Sequence, residues 1–293
     1  MTQRFFIVDV FAQTKYTGNQ LAVVADATDL TSEEMQAIAA EMNYSETTFI
    51  TGPPTDRGWP VRIFTPAEEV PFAGHPTLGT AALIRDELTE NEPDAVTLNL
   101  HVGEIPVDVR DTDGEEFLWM RQQPPEFGET LRHERLATVL GLETHHMDEE
   151  WPVQVVSTGL PTIIVPLTGR EALEGIDLDR NAYDDLVADR EAKLVHTFCA
   201  EPREPGHDLA ARMFAPYYNV AEDPATGSAN GCLAAYLSQH EYLGSDHVDV
   251  RVEQGYEMGR PSLLALAAET TEEGITVEVG GCVVPVARGE LLR

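Results

Sequence analysis

Short apolar or alternating runs recur along the chain and read as strands. The first are Phe5 to Phe11, Leu21 to Val24, Ser45 to Ile50 and Trp59 to Phe64. Val96 to Leu100 and Ile105 to Val109 alternate around Gly103 as a hairpin, and Phe117 to Met120 follows. The second half offers Val153 to Ser157, Thr162 to Val165, Leu194 to Cys199, Leu209 to Phe214, Val248 to Glu253, Ser262 to Ala268, Ile275 to Val279 and Val283 to Ala287. Helix signals are fewer. Thr31-Ser-Glu-Glu34 is a capping box opening a helix that turns Met35, Ile38, Ala39 and Met42 to one side and stops near Asn43. Thr130 to Leu140, ended by Gly141, and Asn181 to Arg190 are two more. Two further segments, Pro76 to Ile84 and Ala229 to Leu237, consist mostly of Gly, Ala, Thr, Leu and Ile with almost no charge. A helix apolar all round is buried on every side, so each of these predicts a central helix with a sheet wrapped around it.

The two central segments belong to a repeat. Arg62, Phe64, Pro66, Val70 and Leu83 recur as Arg212, Phe214, Pro216, Val220 and Leu233, at a constant spacing of 150 residues. Weaker echoes link Gly18 to Val24 with Gly159 to Leu167, Thr48-Phe49 with Thr197-Phe198, and Gly103 with Gly255. A period this long is a duplicated domain, since solenoid repeats are shorter. The expected fold is α+β: two pseudo-symmetric domains, each a curled, mostly antiparallel, barrel-like sheet around a buried helix, with a cleft between them. The domains are expected at 1–122 and 123–279, with Gln122 to Glu126 as the linker. The last strand exceeds the count of the first half and is expected to cross back, so that about 280–293 complete the first domain.

Composition narrows the function. The net charge is −32, and Lys15 and Lys193 are the only lysines. So much acid repels nucleic acid and anionic membranes. With 42% hydrophobic residues and regular strands the chain is not a disordered acidic segment. Evenly spread acid with few lysines suits a high-salt cytoplasm, where screening tames self-repulsion. Cys199, Cys232 and Cys282 form neither a disulfide framework nor a zinc pattern. The start reads as a strand and no run reaches membrane-spanning length, so a reducing cytoplasm is expected. Dinucleotide, P-loop, zinc-protease, calcium-loop and serine-hydrolase motifs are all missing, and neither cofactor nor metal is expected.

Three residues could carry chemistry. Glu46 falls in the strand-like run Ser45 to Ile50, where the repeat places Val195, so the fold does not ask for an acid there. It is either a surface glutamate on an edge strand or a carboxyl group able to give and take protons. His75 precedes a helix start and is either a satisfied turn histidine or a group that orients a carboxylate. The other eight histidines fall in loops and polar segments and suggest nothing. Asp223 is a natural N-cap with Pro224 at the first helical position, or else a site residue. Gly227 and Ser228 would let a ligand approach backbone N–H groups at the positive end of the helix, and Gly74 and Gly79 would permit the same in the first copy. A small carboxylated metabolite fits such a pair of helix starts, near Gly74 to Thr77 and near Gly227 to Ser228. Arg62 and Arg212 recur identically, which favours a structural role in both.

These residues together resemble the phenazine-biosynthesis PhzF-like family. The resemblance rests on Asp9-Val-Phe-Ala, Gly18-Asn-Gln-Leu-Ala-Val-Val24, Ser45-Glu46-Thr47-Thr48-Phe49 and Arg62-Ile-Phe-Thr-Pro66. It continues through Val70, Gly74-His75-Pro76-Thr77, Glu222-Asp223-Pro-Ala-Thr-Gly227-Ser228-Ala229 and Gly255 with Gly259-Arg-Pro-Ser262. It covers nearly the whole chain and implies the diaminopimelate-epimerase fold. It also implies a cofactor-free isomerase that moves a proton on a small carboxylated substrate. On that pattern Glu46 carries the proton, His75 and Asp223 assist and orient, and Gly74, Pro76, Thr77, Gly227 and Ser228 bind substrate. Related epimerases use one cysteine per domain as acid and base; here Ala73 to His75 and Asp223 stand in those regions, so that chemistry is not expected. The family also implies a homodimer. Rival readings are a small-anion binding protein that kept the fold, and a lyase or tautomerase using the same proton transfer.

Overall fold

The computed structural model describes residues 3–112 and 114–292. The chain divides into two compact units, Met1–Met120 with Gly280–Arg293, and Arg121–Val279.

In the first unit, β1 (Gln3–Val10) and β2 (Asn19–Val24) are antiparallel. Helix α1 (Ser32–Met42) follows, opened by Thr31 and Glu34 in a reciprocal capping box and ended by Asn43 in the left-handed conformation. Strand β3 (Thr47–Ile50) runs parallel to β2 and antiparallel to β4 (Trp59–Phe64), on which the short β5 (Glu69–Val70) also pairs. Helix α2 (Gly74–Leu83) is next, then β6 (Ala95–Leu100) parallel to β4, β7 (Gly103–Thr112) and β8 (Glu115–Arg121). From His75 to Leu83 every residue of α2 is buried, so the helix is the core on which β1, β2, β3, β6 and β7 curl. Gly79 is where α2 meets the sheet, because a Cβ there would lie 2.6 Å from Leu21 Cδ2 and 2.8 Å from Val10 Cγ2. Its function is close packing rather than ligand approach. Helix α1 covers the other face of the sheet, with Met35 and Ala39 against Phe49 and Phe64.

The second unit repeats this plan. Strand β9 (Glu126–Leu131) precedes helix α3 (His133–Leu140), so Thr130 and Leu131 are strand rather than the start of the helix. Glu126, Phe127, Thr130 and Leu131 pair with β10 and keep their backbone groups in a ladder, which outweighs the modest helical pattern. Then come β10 (Val153–Ser157), β11 (Thr162–Pro166), α4 (Arg170–Glu174), α5 (Arg180–Val187), β12 (Leu194–Cys199), β13 (Leu209–Ala215) and β14 (Val220–Asp223). Helix α6 (Gly227–Gln239), β15 (Val248–Gln254), β16 (Ser262–Thr271) and β17 (Gly274–Gly281) follow. The pairings match unit for unit: β10–β11 antiparallel, β11–β12 parallel, β12–β13 antiparallel, β13–β15 parallel and β15–β16 antiparallel. Helix α6 is buried except at Ser228 and Gln239 and packs on β10, β11, β12, β15 and β16. The last strand, β18 (Val283–Leu291), returns to the first unit and runs antiparallel to β1.

The recurring arginines are braces in both units. Arg62 lies 2.6 Å from Glu69 and its guanidinium sits 5.1 Å from the centre of the Phe64 ring. Arg212 lies 2.8 Å from Glu222 and 5.0 Å from the centre of the Phe214 ring, and also donates to the carbonyl oxygen of Leu173.

Candidate active site

Glu46 stands one residue before β3, between the bend at Tyr44 and Ser45 and the strand, rather than on the strand. Ladder registers correct its counterpart as well. Phe64 pairs with Thr47 and Phe214 pairs with Val195, so Val195 matches Thr47 and the position matching Glu46 is Leu194. The echo read from Thr48-Phe49 and Thr197-Phe198 is one residue out of step, a slip that exchanges the two faces of a strand. Leu194 is buried against Met213, Ala215 and Ala229, so the fold accommodates an apolar side chain where the first unit carries the carboxylate.

His75 is the second residue of α2 and is buried. Burial pushes the imidazole down to about 3, against a hydrogen bond with the Gln20 backbone that favours the protonated form. The ring is therefore neutral over the whole neutral range. Its Nε2 makes no hydrogen bond, so Nδ1 is the nitrogen that donates to Gln20. In that tautomer Nε2 presents a lone pair, and it lies 3.5 Å from Glu46 Oε2. The start of α2 has Ala73 as its N-cap and no side-chain cap, which leaves the backbone N–H groups of Gly74 and His75 uncapped by a side chain. Pro76 offers no N–H, and Thr77 turns its hydroxyl back to the Ala73 carbonyl at 2.7 Å.

In the second unit Asp223 is the last residue of β14, not a helix cap, and Pro224 lies outside the helix. The N-cap of α6 is Thr226, and Gly227 and Ser228 are its first two residues. The first turn of α2 thus has no helical equivalent in α6, where Pro224 to Thr226 form a loop. No side chain caps α6 either. Asp223 is buried and accepts a hydrogen bond from the Thr226 hydroxyl. Behind them, Gln254 donates to the Asp223 carbonyl at 2.8 Å and accepts from Asn230 at 2.8 Å. Gly255, with φ of +78°, is where β15 passes this loop; a Cβ there would lie 2.5 Å from the Pro224 carbonyl oxygen. Glu46, His75, Gly74, Pro76 and Thr77 therefore cluster in the first unit, and Asp223, Gly227 and Ser228 in the second.

Three members of this arrangement escape the sequence reading. His196 sits on β12, fully buried, and not in a polar segment. Asn230 is an amide inside a helix buried all round, a costly placement that was itself a signal. Gln254 ends an alternating strand just before a glycine that cannot be replaced without strain. The cysteines behave as core groups: burial pushes the Cys199 thiol up to about 11 and raises that of Cys232. Among the described residues, no cluster of His, Cys, Asp or Glu is placed to hold a metal ion, and no helix is long and apolar enough to cross a membrane.

A sequence profile described as phenazine biosynthesis-like protein matches residues 8–289. The chain belongs to this family. A relative from Pseudomonas aeruginosa, named trans-2,3-dihydro-3-hydroxyanthranilate isomerase, is 36% identical over 98% of both chains. The crystal structure of a PhzF-family protein from Bacillus anthracis superposes with a TM-score of 0.92 at 30% identity, covering 100% of both chains. At 11% identity and a TM-score of 0.60, a hydroxyproline epimerase from Agrobacterium vitis shares the fold, over 99% of this chain and 92% of its own. Like these relatives, this member of the family is an enzyme of the isomerase class.

Proposed function

We propose that the protein is a cofactor-independent isomerase that moves a proton on a small carboxylate-bearing metabolite, with Glu46 as the proton carrier. The observation that carries this reading is the Glu46–His75 pair, with Oε2 and Nε2 at 3.5 Å. A neutral imidazole facing a carboxyl group with its lone pair accepts a hydrogen when the carboxyl is protonated and forms no ion pair when it is ionised. Both protonation states of Glu46 then remain usable, as a group that takes a proton from one carbon and returns it to another requires. That Leu194 occupies the matching place supports a chemical rather than architectural reason for the carboxylate. The starts of α2 and α6, with the N–H groups of Gly74 and His75 and of Gly227 and Ser228 uncapped by any side chain, are suited to the substrate carboxylate, because such N–H groups and the helix dipole both favour an anion. Asp223 is assigned an orienting role toward substrate.

The test is deuterium wash-in from D2O into a panel of small carboxylates, beginning with trans-2,3-dihydro-3-hydroxyanthranilate, for which the relatives are named. The Glu46→Gln variant keeps size and polarity and loses titration, so its rate falls on the order of a hundredfold or more while its fold is retained. His75→Gln and Asp223→Asn fall less. Near-parental exchange by Glu46→Gln, with Asp223→Asn inactive, would move the acid–base role to the second unit.

A further inference from the structure

The amides of Gln254 and Asn230 can each be oriented only one way. Gln254 Nε2 faces the Asp223 backbone carbonyl at 2.8 Å, a pure acceptor, so the amide nitrogen must lie on that side. Its oxygen then faces Asn230 Nδ2 at 2.8 Å and the Thr226 N–H at 3.4 Å. Asn230 Nδ2 also faces a pure acceptor, the Thr226 carbonyl, at 3.0 Å. The second hydrogen of Gln254 Nε2 reaches Thr226 Oγ1 at 3.3 Å. With that lone pair taken, the hydroxyl hydrogen of Thr226 points to Asp223 Oδ2. At the far end Asn230 Oδ1 lies beside the fully buried, neutral ring of His196. The hydrogens of this chain run one way, from Asn230 through Gln254 and Thr226 to the carboxylate. Hydrogen bonds aligned head to tail polarise one another and strengthen the last one.

The first unit shows that the fold does not need this chain. Trp59 pairs with Leu98 and Leu209 with Val252, so the position matching Gln254 is Leu100. Thr48 and Thr80 stand where His196 and Asn230 do and simply bond each other at 2.8 Å. Ala73 and Pro76 stand for Asp223 and Thr226.

We propose that Gln254, held by Asn230, is a positioning residue that aims the Thr226 hydroxyl at Asp223 and so fixes that carboxylate as a hydrogen-bond acceptor toward substrate. The proposal rests on the reading of Asp223 as a site residue. Its test is made without substrate. In protein labelled with 13C at the aspartate carboxyls, the Asp223 resonance is the one lost in Asp223→Asn. Thr226→Val and Gln254→Met should shift that resonance in the same direction, and the double variant no further than Thr226→Val alone. Thr226→Ser, which keeps the hydroxyl, should leave it in place. Should Gln254→Met not fold, Gln254→Asn, whose amide is drawn back by one methylene, replaces it. A folded Gln254 variant with the parental Asp223 resonance overturns the proposal, as does a double variant that shifts by the sum of the two. In the deuterium assay the Gln254 variant should lose roughly tenfold in kcat/KM, and no more than Asp223→Asn loses, because it acts through that carboxylate. If Asp223→Asn retains full exchange, the catalytic reading fails, and the resonance shifts still decide the positioning of the carboxylate.

Discussion

At the start of α6 the side chains of Asp223, Thr226, Asn230 and Gln254 interlock, whereas the matching places around α2 hold Ala73, Pro76, Thr80 and Leu100. Around α2 the polar groups lie elsewhere, in Glu46 and His75, where the second unit has Leu194 and Ala225. What the units share is the brace of Arg, Glu and Phe on the neighbouring strand. The duplicated features hold the sheets, and the polar side chains proposed above for chemistry are ones that differ between the copies. Buried polar groups are costly, so one that its counterpart does without needs a reason beyond folding.

The comparison is most severely tested by acid. Each unit buries one neutral histidine, His75 and His196, and burial pushes each down to about 3. The unfolded chain takes up protons on both below the ordinary histidine pKa of about 6.5 while the folded protein does not. Their contribution to stability is thus complete above about pH 6.5 and lost as pH falls toward 3, at ~1.4 kcal/mol per pH unit for each. Urea unfolding between pH 8 and 4 should show this slope, and His75→Gln or His196→Gln should each remove one histidine's share. A variant that leaves the slope unchanged would show that its unit does not hold the ring neutral.

Next in size are the braces. Arg212 is the more deeply buried, at 9% side-chain exposure against 25% for Arg62. Arg212→Met leaves Glu222 and the Leu173 carbonyl without their partner and should cost about 3–5 kcal/mol. Arg62→Met should cost about 1 kcal/mol, as for a pair near solvent. Equal costs in chemical denaturation would remove the difference in burial as the cause. The smallest difference between the units is expected at the helix–sheet contact. Gly79→Ala crowds Leu21 and Val10 and should cost about 1–3 kcal/mol, while Ala229→Gly at the matching place should cost about 1 kcal/mol through backbone freedom. A stabilised Gly79→Ala would mean that the sheet yields more readily around α2 than its packing indicates.

Much of the fold was legible because its signals are periodic. The capping box at Thr31, the alternation of β6 and β7, and the two apolar central helices depend on local pattern alone. What was not legible depended on register. Glu46 lies just before the strand and not on it, and its counterpart is Leu194, because a slip of one residue cannot be seen without the hydrogen-bonded neighbour. Asp223 has the composition of an N-cap, yet α6 starts three residues later because β14 runs as far as Asp223. The Gln254 network was hidden for a related reason: its members are up to 31 residues apart, and an amide on a strand reads as surface until its neighbours are known.

The return of β18 to β1 also dictates an order of events during synthesis. The second unit is one uninterrupted stretch, Arg121–Val279, and can complete its sheet as soon as it has emerged from the ribosome. The first unit cannot, because β1 pairs Gln3 with Leu291 and Phe5 with Gly289. Until Val283–Leu291 have emerged, the run Phe5-Phe-Ile-Val8 has one edge open, and an unpaired apolar edge is a template for another chain. The nascent protein thus stays exposed to aggregation even after its second unit has folded, and a chain interrupted before Val283 would carry that edge permanently.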